Sequence, residues 1–216
     1  MSERSTDWQK WHNEYDDPDS RLSERLRVVQ AHVCAALDER AGRPGPIRII
    51  SMCSGQGRDV IGALANHPRR HHVAAMLVEL DEGLAEAARA GAIAAGLAGV
   101  SVRCTDASTT DSYVDAVPAD IVLACGVFGN ISVEDIHRTI DQLPMLCAPG
   151  ATVIWTRYGR PGDDLAPDIC RWFVERGFEE ARFDASDGRS YRVGSHRLTA
   201  DPPEFEPRVR LFQFLR

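Results

Sequence analysis

Ile47-Arg48-Ile49-Ile50-Ser51-Met52-Cys53-Ser54-Gly55-Gln56-Gly57-Arg58-Asp59 is the stretch from which the rest of the chain is placed. Ile47, Ile49 and Ile50 form a β-branched run with no regular polar alternation, the pattern of a strand buried on both faces of a parallel sheet. The run stops at Gly55 and Gly57. Without a Cβ, glycine lets the backbone bend sharply and come into contact with a ligand that a side chain would hold off. Val60, Ile61 and Leu64 then recur at helical spacing, so the turn delivers a helix N-terminus to whatever lies above it. The same unit also serves simply to pack a helix on a sheet. A dinucleotide fingerprint, G-x-G-x-x-G, requires a third glycine at position 60, where this chain has Val60.

The totals narrow the classes. A chain of 216 residues with 44% hydrophobic and 26% charged residues has globular composition and the length of one core. No apolar run approaches the roughly 18 residues of a membrane span, and the opening Met1-Ser-Glu-Arg-Ser-Thr-Asp7 has no apolar signal region, so a cytoplasmic protein is expected. The six cysteines lie far apart with no C-x-x-C pair or zinc spacing, and read as reduced, buried small residues with no metal. A formal charge of −7 gives no general attraction to a phosphate backbone, so neither nucleic acid nor membrane is the expected partner. Lys10 is the sole lysine.

Residues 1–19 are polar but carry Trp8, Trp11 and Tyr15, aromatics that either lie over a cleft as a lid or staple the leader to the core. Leu22, Leu26, Val29, Val33 and Leu37 predict an amphipathic helix ended by Gly42, Pro44 and Pro46. Beyond the opening unit, strands are expected at Val73–Leu80, Val100–Cys104, Asp120–Cys125 and Ala151–Thr156. Helices are expected at Glu82–Ala95, from Thr110 toward Pro118, from the capping pair Ser132 and Asp135 to Leu143, and at Ala166–Arg176. This alternation predicts an open α/β sheet with helices on both faces. The ending differs: Phe178–Asp184, Tyr191–Leu198 and Arg208–Leu215 all read as strands with no helix between them, the condition for antiparallel pairing. Asp201–Pro207 reads as an irregular loop.

In such a sheet ligands bind beyond the carboxyl ends of the strands, so the polar residues there carry the chemistry. Glu79, about 20 residues past the glycine turn, suits a ribose diol, and Asp106 at the end of the third strand can accept a proton from an exocyclic amine. Each has a plain reading too, as a solvated strand end and a helix cap.

With these residues in hand the chain resembles the class I S-adenosylmethionine-dependent methyltransferases over about residues 47–156. The family's glycine motif matches Ser51-Met-Cys-Ser-Gly-Gln-Gly-Arg-Asp59, its ribose-binding acid Glu79, its adenine-binding acid Asp106, and its fourth-strand motif Ala119-Asp-Ile-Val-Leu-Ala-Cys-Gly126. The resemblance implies a Rossmann-like open sheet of about seven strands, mostly parallel with an antiparallel last strand at Arg208–Leu215. With the leader's aromatics read as a lid, the chain divides into a lid segment and helix over 1–46 and the methyltransferase domain over 47–216, one domain in all. The resemblance implies S-adenosyl-L-methionine as cofactor, S-adenosyl-L-homocysteine as product, and a small-molecule methyl acceptor for a monomer or homodimer. Cofactor contacts are expected from Tyr15, Met52, Cys53, Ser54, Gly55, Gly57, Glu79, Leu80, Asp106, Ala107, Cys125 and Gly126.

Two departures stand out: the family commonly has an acid where Ser51 stands and a glycine where Cys53 stands. Ser51 brings no charge to the cofactor's ammonium, so backbone carbonyls near Cys53 and Cys125 are expected to take that role. A general base is optional for transfer from a sulfonium; His196 is the candidate, with His12 a weaker one, and Asn130 either orients the substrate or shapes its turn. Competing readings are a nicotinamide-dependent oxidoreductase, opposed by Val60 and the lack of a Tyr-x-x-x-Lys pair, and a non-catalytic cofactor-binding domain.

Overall fold

A computed structural model gives the fold and describes residues 15, 17–159, 164–186 and 191–215. Trp8, Trp11 and His12 of the leader lie outside the described residues.

The isoleucine run becomes β1 (Ile47–Met52), in the middle of a seven-stranded sheet. The other strands are β2 (Val73–Glu79), β3 (Val100–Cys104), β4 (Ala119–Ala124), β5 (Cys147–Tyr158), β6 (Phe178–Ala185) and β7 (Tyr191–Leu198). Their order is β3-β2-β1-β4-β5-β7-β6. Ile49 is in register with Ala75 on one side and Ile121 on the other, both parallel. β7 alone is reversed, antiparallel to both β5 and β6. The chain winds outward from β1 to β3 and returns to β4, so the direction of winding switches between β1 and β4, where an open α/β sheet leaves a crevice.

Among the described residues five helices cover the sheet: α1 (Arg21–Glu39), α2 (Arg58–Ala65), α3 (Glu82–Ala94), α4 (Val133–Gln142) and α5 (Ala166–Glu175). Three start on side-chain caps, with Ser20, Asp81 and Ser132 accepting from the backbone N–H groups of Ser23, Leu84 and Asp135. Alternate β1 residues point to opposite faces. Ile47 and Ile49 pack with Val29 and Val33 of α1 and Val60 and Leu64 of α2. Ile50 and Met52 pack with Ile136 and Ile140 of α4 and Ile169 and Phe173 of α5. Ile49 and Ile50 are fully buried, each contributing about 1.5–3 kcal/mol. Burial on both faces was expected from the apolar run and helices on both faces from the alternation of strand and helix, and the packing of β1 shows both.

Two expectations need correction. Arg208–Leu215 is not a sheet strand; it crosses the loops beyond β3 and β4 as a strap, through isolated bridges from Arg210 to Thr109 and from Phe214 to Ile131. Arg208 has φ +64°, which breaks an extended run, and the consecutive Leu211 and Phe212 are both fully buried, a spacing a half-buried strand does not allow. The antiparallel strand is instead β7, inserted before β6. The fifth strand also begins at Cys147 and not at Ala151, with a register irregularity that absorbs the positive-φ Gly150. All six cysteines are unpaired thiols, and no helix among the described residues is long and apolar enough to cross a membrane.

Candidate active site

At the carboxyl end of β1 the chain takes left-handed conformations at Cys53 (φ +49°), Gly55 (φ +55°) and Gly57 (φ +67°). The turn hooks over β2, Ser54 N donating to Val78 O at 2.9 Å, and closes with Gly57 N to Ser54 O at 2.8 Å. At Gly57 a Cβ would stand 2.6 Å from Leu77 Cδ1, so this glycine is what lets α2 approach the sheet. Glu79, at the end of β2, fastens the turn. Its Oε2 accepts from Gly55 N at 2.7 Å, and its Oε1 from Leu80 N and Asp81 N at 2.9 Å each. At the end of the neighbouring β3, Asp106 Oδ1 accepts from Ser108 N at 2.8 Å, while its carboxylate is half exposed and 4.0 Å from Arg210 of the strap.

These groups line one cleft of about 1040 Å³ along the carboxyl edge of the sheet. On the β2–β3 side the lining is Glu79, Leu80, Asp81, Asp106 and Ala107; Leu80 is 69% exposed, an apolar side chain held out over the opening. Past the turn the lining changes to Tyr15, Arg25, Asp59, Cys125, Thr156 and Tyr158. Arg25 of α1 is only 7% exposed, its Nη2 donating to the Tyr15 hydroxyl at 2.8 Å and its guanidinium 5.9 Å from the centre of the Tyr158 ring. Thr156 at the end of β5 accepts from Gly126 N at 2.8 Å and fixes the turn after β4. Enclosure pushes the Asp59 carboxyl up to about 6, against the lowering effect of its own helix N–H groups and the charge of Arg25. The strap's Phe214 and Leu215 form part of the rim.

No protein-family model matches the chain, and no curated protein does. Among solved structures it is similar to magnesium protoporphyrin IX methyltransferase from Synechocystis PCC 6803 with bound S-adenosylmethionine, at a TM-score of 0.67 and 15% identity, over 90% of this chain and 92% of that one. It is similar to the CurJ carbon methyltransferase at a TM-score of 0.65 and 13% identity, over 90% of this chain and 59% of that one. The fold is that of the S-adenosylmethionine-dependent methyltransferases. The 4+2 cyclase SpnF shares the methyltransferase fold with this chain too, at a TM-score of 0.55 and 13% identity over 77% of this chain and 80% of that one, so the fold leaves the reaction open.

Within this methyltransferase fold, Tyr15, Cys53, Ser54, Gly55, Glu79, Leu80, Asp106, Ala107, Cys125, Gly126 and Asn130 all line the cleft. Asn130 shapes the turn after β4: its Nδ2 donates to Gly126 O at 2.7 Å, and its backbone carbonyl accepts from Leu215 N of the strap. Gly57 lies beneath the cleft, where it carries the helix approach. Met52 is fully buried in the core beneath α4 and α5, because the last β1 residue points away from the edge. Ser51 is 1% exposed and outside the lining, so it takes no part in the site.

His196 is the larger correction. Because β7 runs antiparallel, its start meets the cleft end of β5, Tyr191 opposite Tyr158, and His196 falls opposite Val153, deep in the sheet. It is fully buried, stacked 4.4 Å from Phe173, with Nδ1 accepting from Trp155 Nε1 at 3.1 Å; burial pushes it down to about 4 and keeps it neutral. It does not line the cleft and cannot serve as base there. Its Nε2 also converges with Cys170 and Glu180. With Nδ1 accepting from Trp155, the proton of the neutral ring sits on Nε2, which excludes that atom as a metal ligand in this arrangement.

Arg25, Asp59, Thr156 and Tyr158 were not singled out in the sequence. The signal for Arg25 was present: three residues after Leu22, it interrupts the apolar stripe of α1 with a charge.

Proposed function

We propose that the protein is an S-adenosylmethionine-dependent methyltransferase that transfers the methyl group to an oxygen or nitrogen of a small molecule, with a domain spanning 47–216 preceded over 1–46 by a lid segment, residues 1–19, and the helix α1. The observation that carries the reading is the placement of Glu79 and Asp106 at the ends of adjacent parallel strands, across the Gly55 turn, in one cleft of the matching fold. Glu79 Oε2, which accepts only from Gly55 N, retains acceptor capacity toward a ribose hydroxyl, while Oε1 is held still by the Leu80 and Asp81 N–H groups. Asp106 is exposed enough to accept from an adenine amine, between the apolar surfaces of Leu80 and Ala107.

The cofactor supplies an activated methyl on a sulfonium. The chain's part is to hold a nucleophile in line with that methyl and to exclude water, the contribution of orientation that effective molarity measures. Tyr15 and Tyr158 form walls of the acceptor side, and Asn130 offers its amide beside the turn after β4. A nicotinamide enzyme is the poorer fit: Val60 is fully buried where the third glycine would stand, and the reversed β7 departs from the all-parallel order of dinucleotide-binding folds.

Calorimetry with S-adenosylhomocysteine and with NAD, followed by a panel of small oxygen and nitrogen nucleophiles with labelled S-adenosylmethionine, tests the reading. Binding of the homocysteine product and labelling of an acceptor are expected. Absence of both binding heat and thermal shift at saturating product would refute it, and binding without transfer across the panel would favour a regulatory cofactor-binding domain.

A further inference from the structure

Among the described residues four carboxylates line the cleft, and three are committed at its β2–β3 end. Glu79 takes three backbone donors, Asp81 caps α3 through Leu84 N at 2.9 Å, and Asp106 holds Ser108 N beside Arg210. Asp59 stands apart. It sits in the first turn of α2, its Oδ1 accepting from Val60 N at 2.8 Å, within the electrostatic reach of Arg25 from α1, Tyr15 from the leader and Cys125 at the end of β4. Among the described residues this end of the cleft therefore offers one carboxylate, with the buried Arg25 guanidinium and the half-buried Arg58 and Arg157 in the same lining. Burial raises the Tyr15 phenol and the Cys125 thiol above their ordinary values, so neither adds a negative charge near neutral pH. Ser51, the strand residue nearest in sequence that could have faced the ligand, is buried and uncharged.

A ligand that fills the cleft from Asp106 past the turn must present its far end to these groups. S-adenosylmethionine ends in an amino acid, one cationic and one anionic group on the same carbon, which complements a carboxylate and guanidinium groups in one lining. On the reading of the cleft given above, we infer that Asp59 is the positioning residue that holds the cofactor's α-ammonium, in place of any acid on β1. Desolvated and within the electrostatic reach of Arg25, the Asp59 carboxylate exchanges water for a fixed cationic partner when the ligand enters. The raised carboxyl then has a visible consequence: below pH about 6 the unliganded protein must give up a proton to bind the ammonium, so affinity falls with pH. Arg25 remains charged throughout this range.

The experiment compares S-adenosylhomocysteine with 5′-methylthioadenosine, which keeps the adenosine and thioether and lacks the amino acid. Calorimetry on the full chain and on Asp59→Asn should show S-adenosylhomocysteine weakened about 10- to 100-fold, as for a lost hydrogen bond to a charged group, with methylthioadenosine unchanged. In wild type the affinity ratio of the two ligands should fall between pH 7.5 and 5.5, a readout that needs no variant and survives a failure of Asp59→Asn to fold. Equal loss for both ligands, unchanged S-adenosylhomocysteine affinity in a folded variant, or a pH-independent ratio in wild type overturns the assignment. If wild type binds methylthioadenosine but S-adenosylhomocysteine no better, Asp59 is excluded while the nucleoside site stands. If wild type binds neither, the methyltransferase reading falls, and this assignment with it.

Discussion

Glu79 is the side chain on which a single substitution separates holding the fold from holding the ligand. Its carboxylate accepts from three backbone N–H groups, and two of these, Gly55 N and Asp81 N, are partly buried, while Leu80 N is exposed. In Glu79→Ala, water replaces the acceptor at Leu80, but the other two donors lose a charged partner at about 1–1.5 kcal/mol each, roughly 2–3 kcal/mol together. For a chain of this length each kcal/mol moves the melting temperature by roughly 2–4 °C, so the unliganded variant should melt about 4–12 °C below wild type. Glu79→Gln should fall between: its carbonyl oxygen can serve one set of donors, which leaves the amide NH₂ facing the remaining N–H. Cofactor affinity should drop by a further 1–3 kcal/mol, about 5- to 150-fold, when measured on the folded fraction. Differential scanning fluorimetry without ligand and calorimetry with S-adenosylhomocysteine read the two effects separately. An unliganded Glu79→Ala that melts with wild type would refute the role of Glu79 as the clasp of the glycine turn; wild-type affinity in the folded variant would remove it from the ligand site.

Gly57→Ala places a Cβ 2.6 Å from Leu77 Cδ1 at a residue with φ +67°, and should cost about 2–4 kcal/mol in urea unfolding from strain and overpacking combined; a loss below about 0.5 kcal/mol would mean that α2 can shift freely. His196 protonates near pH 4 when folded and near 6.5 when unfolded, so between those values the unfolded chain binds more protons and stability is lost as pH falls, by up to about 3 kcal/mol. Comparing unfolding at pH 7 and pH 5 for wild type and His196→Phe isolates this contribution, and equal pH slopes in the two would contradict it. Deleting residues 1–19 removes Tyr15 from the cleft wall and from Arg25, and should lower turnover about tenfold or more with little change in melting temperature. Unfolding on truncation would show that the leader is a staple and no lid.

What the residues determined by themselves is the local grammar. The isoleucines of β1, the left-handed glycines, the caps at Ser20, Asp81 and Ser132, and the acids at the ends of β2 and β3 all act within a few residues of their own position, through backbone sterics and hydrogen bonds that sequence spacing displays. Those same short-range rules place Glu79, Leu80, Asp106 and Asn130 at strand ends, and a parallel sheet brings strand ends together at one edge, so this part of the cleft was legible in advance. Side-chain facing and chain direction were not. Met52 and Ser51 sit at the cleft end of β1 in sequence, yet both are buried, Met52 packing into the core beneath α4 and α5. His196 reads like a base until β7 is found to run backwards, which carries its end away from the cleft and under Phe173. Arg208–Leu215 has strand-like composition, but Arg208 breaks the extended run and the strap bonds to loops beyond β3 and β4. Arg25 and Asp59 come from separate helices, and only the packing of α1 and α2 on one face of the sheet puts their charges at the same end of the cleft. Tertiary structure decided these because burial and charge pairing depend on which surfaces meet, and that is set by long-range packing energy with no trace in the spacing of any one segment.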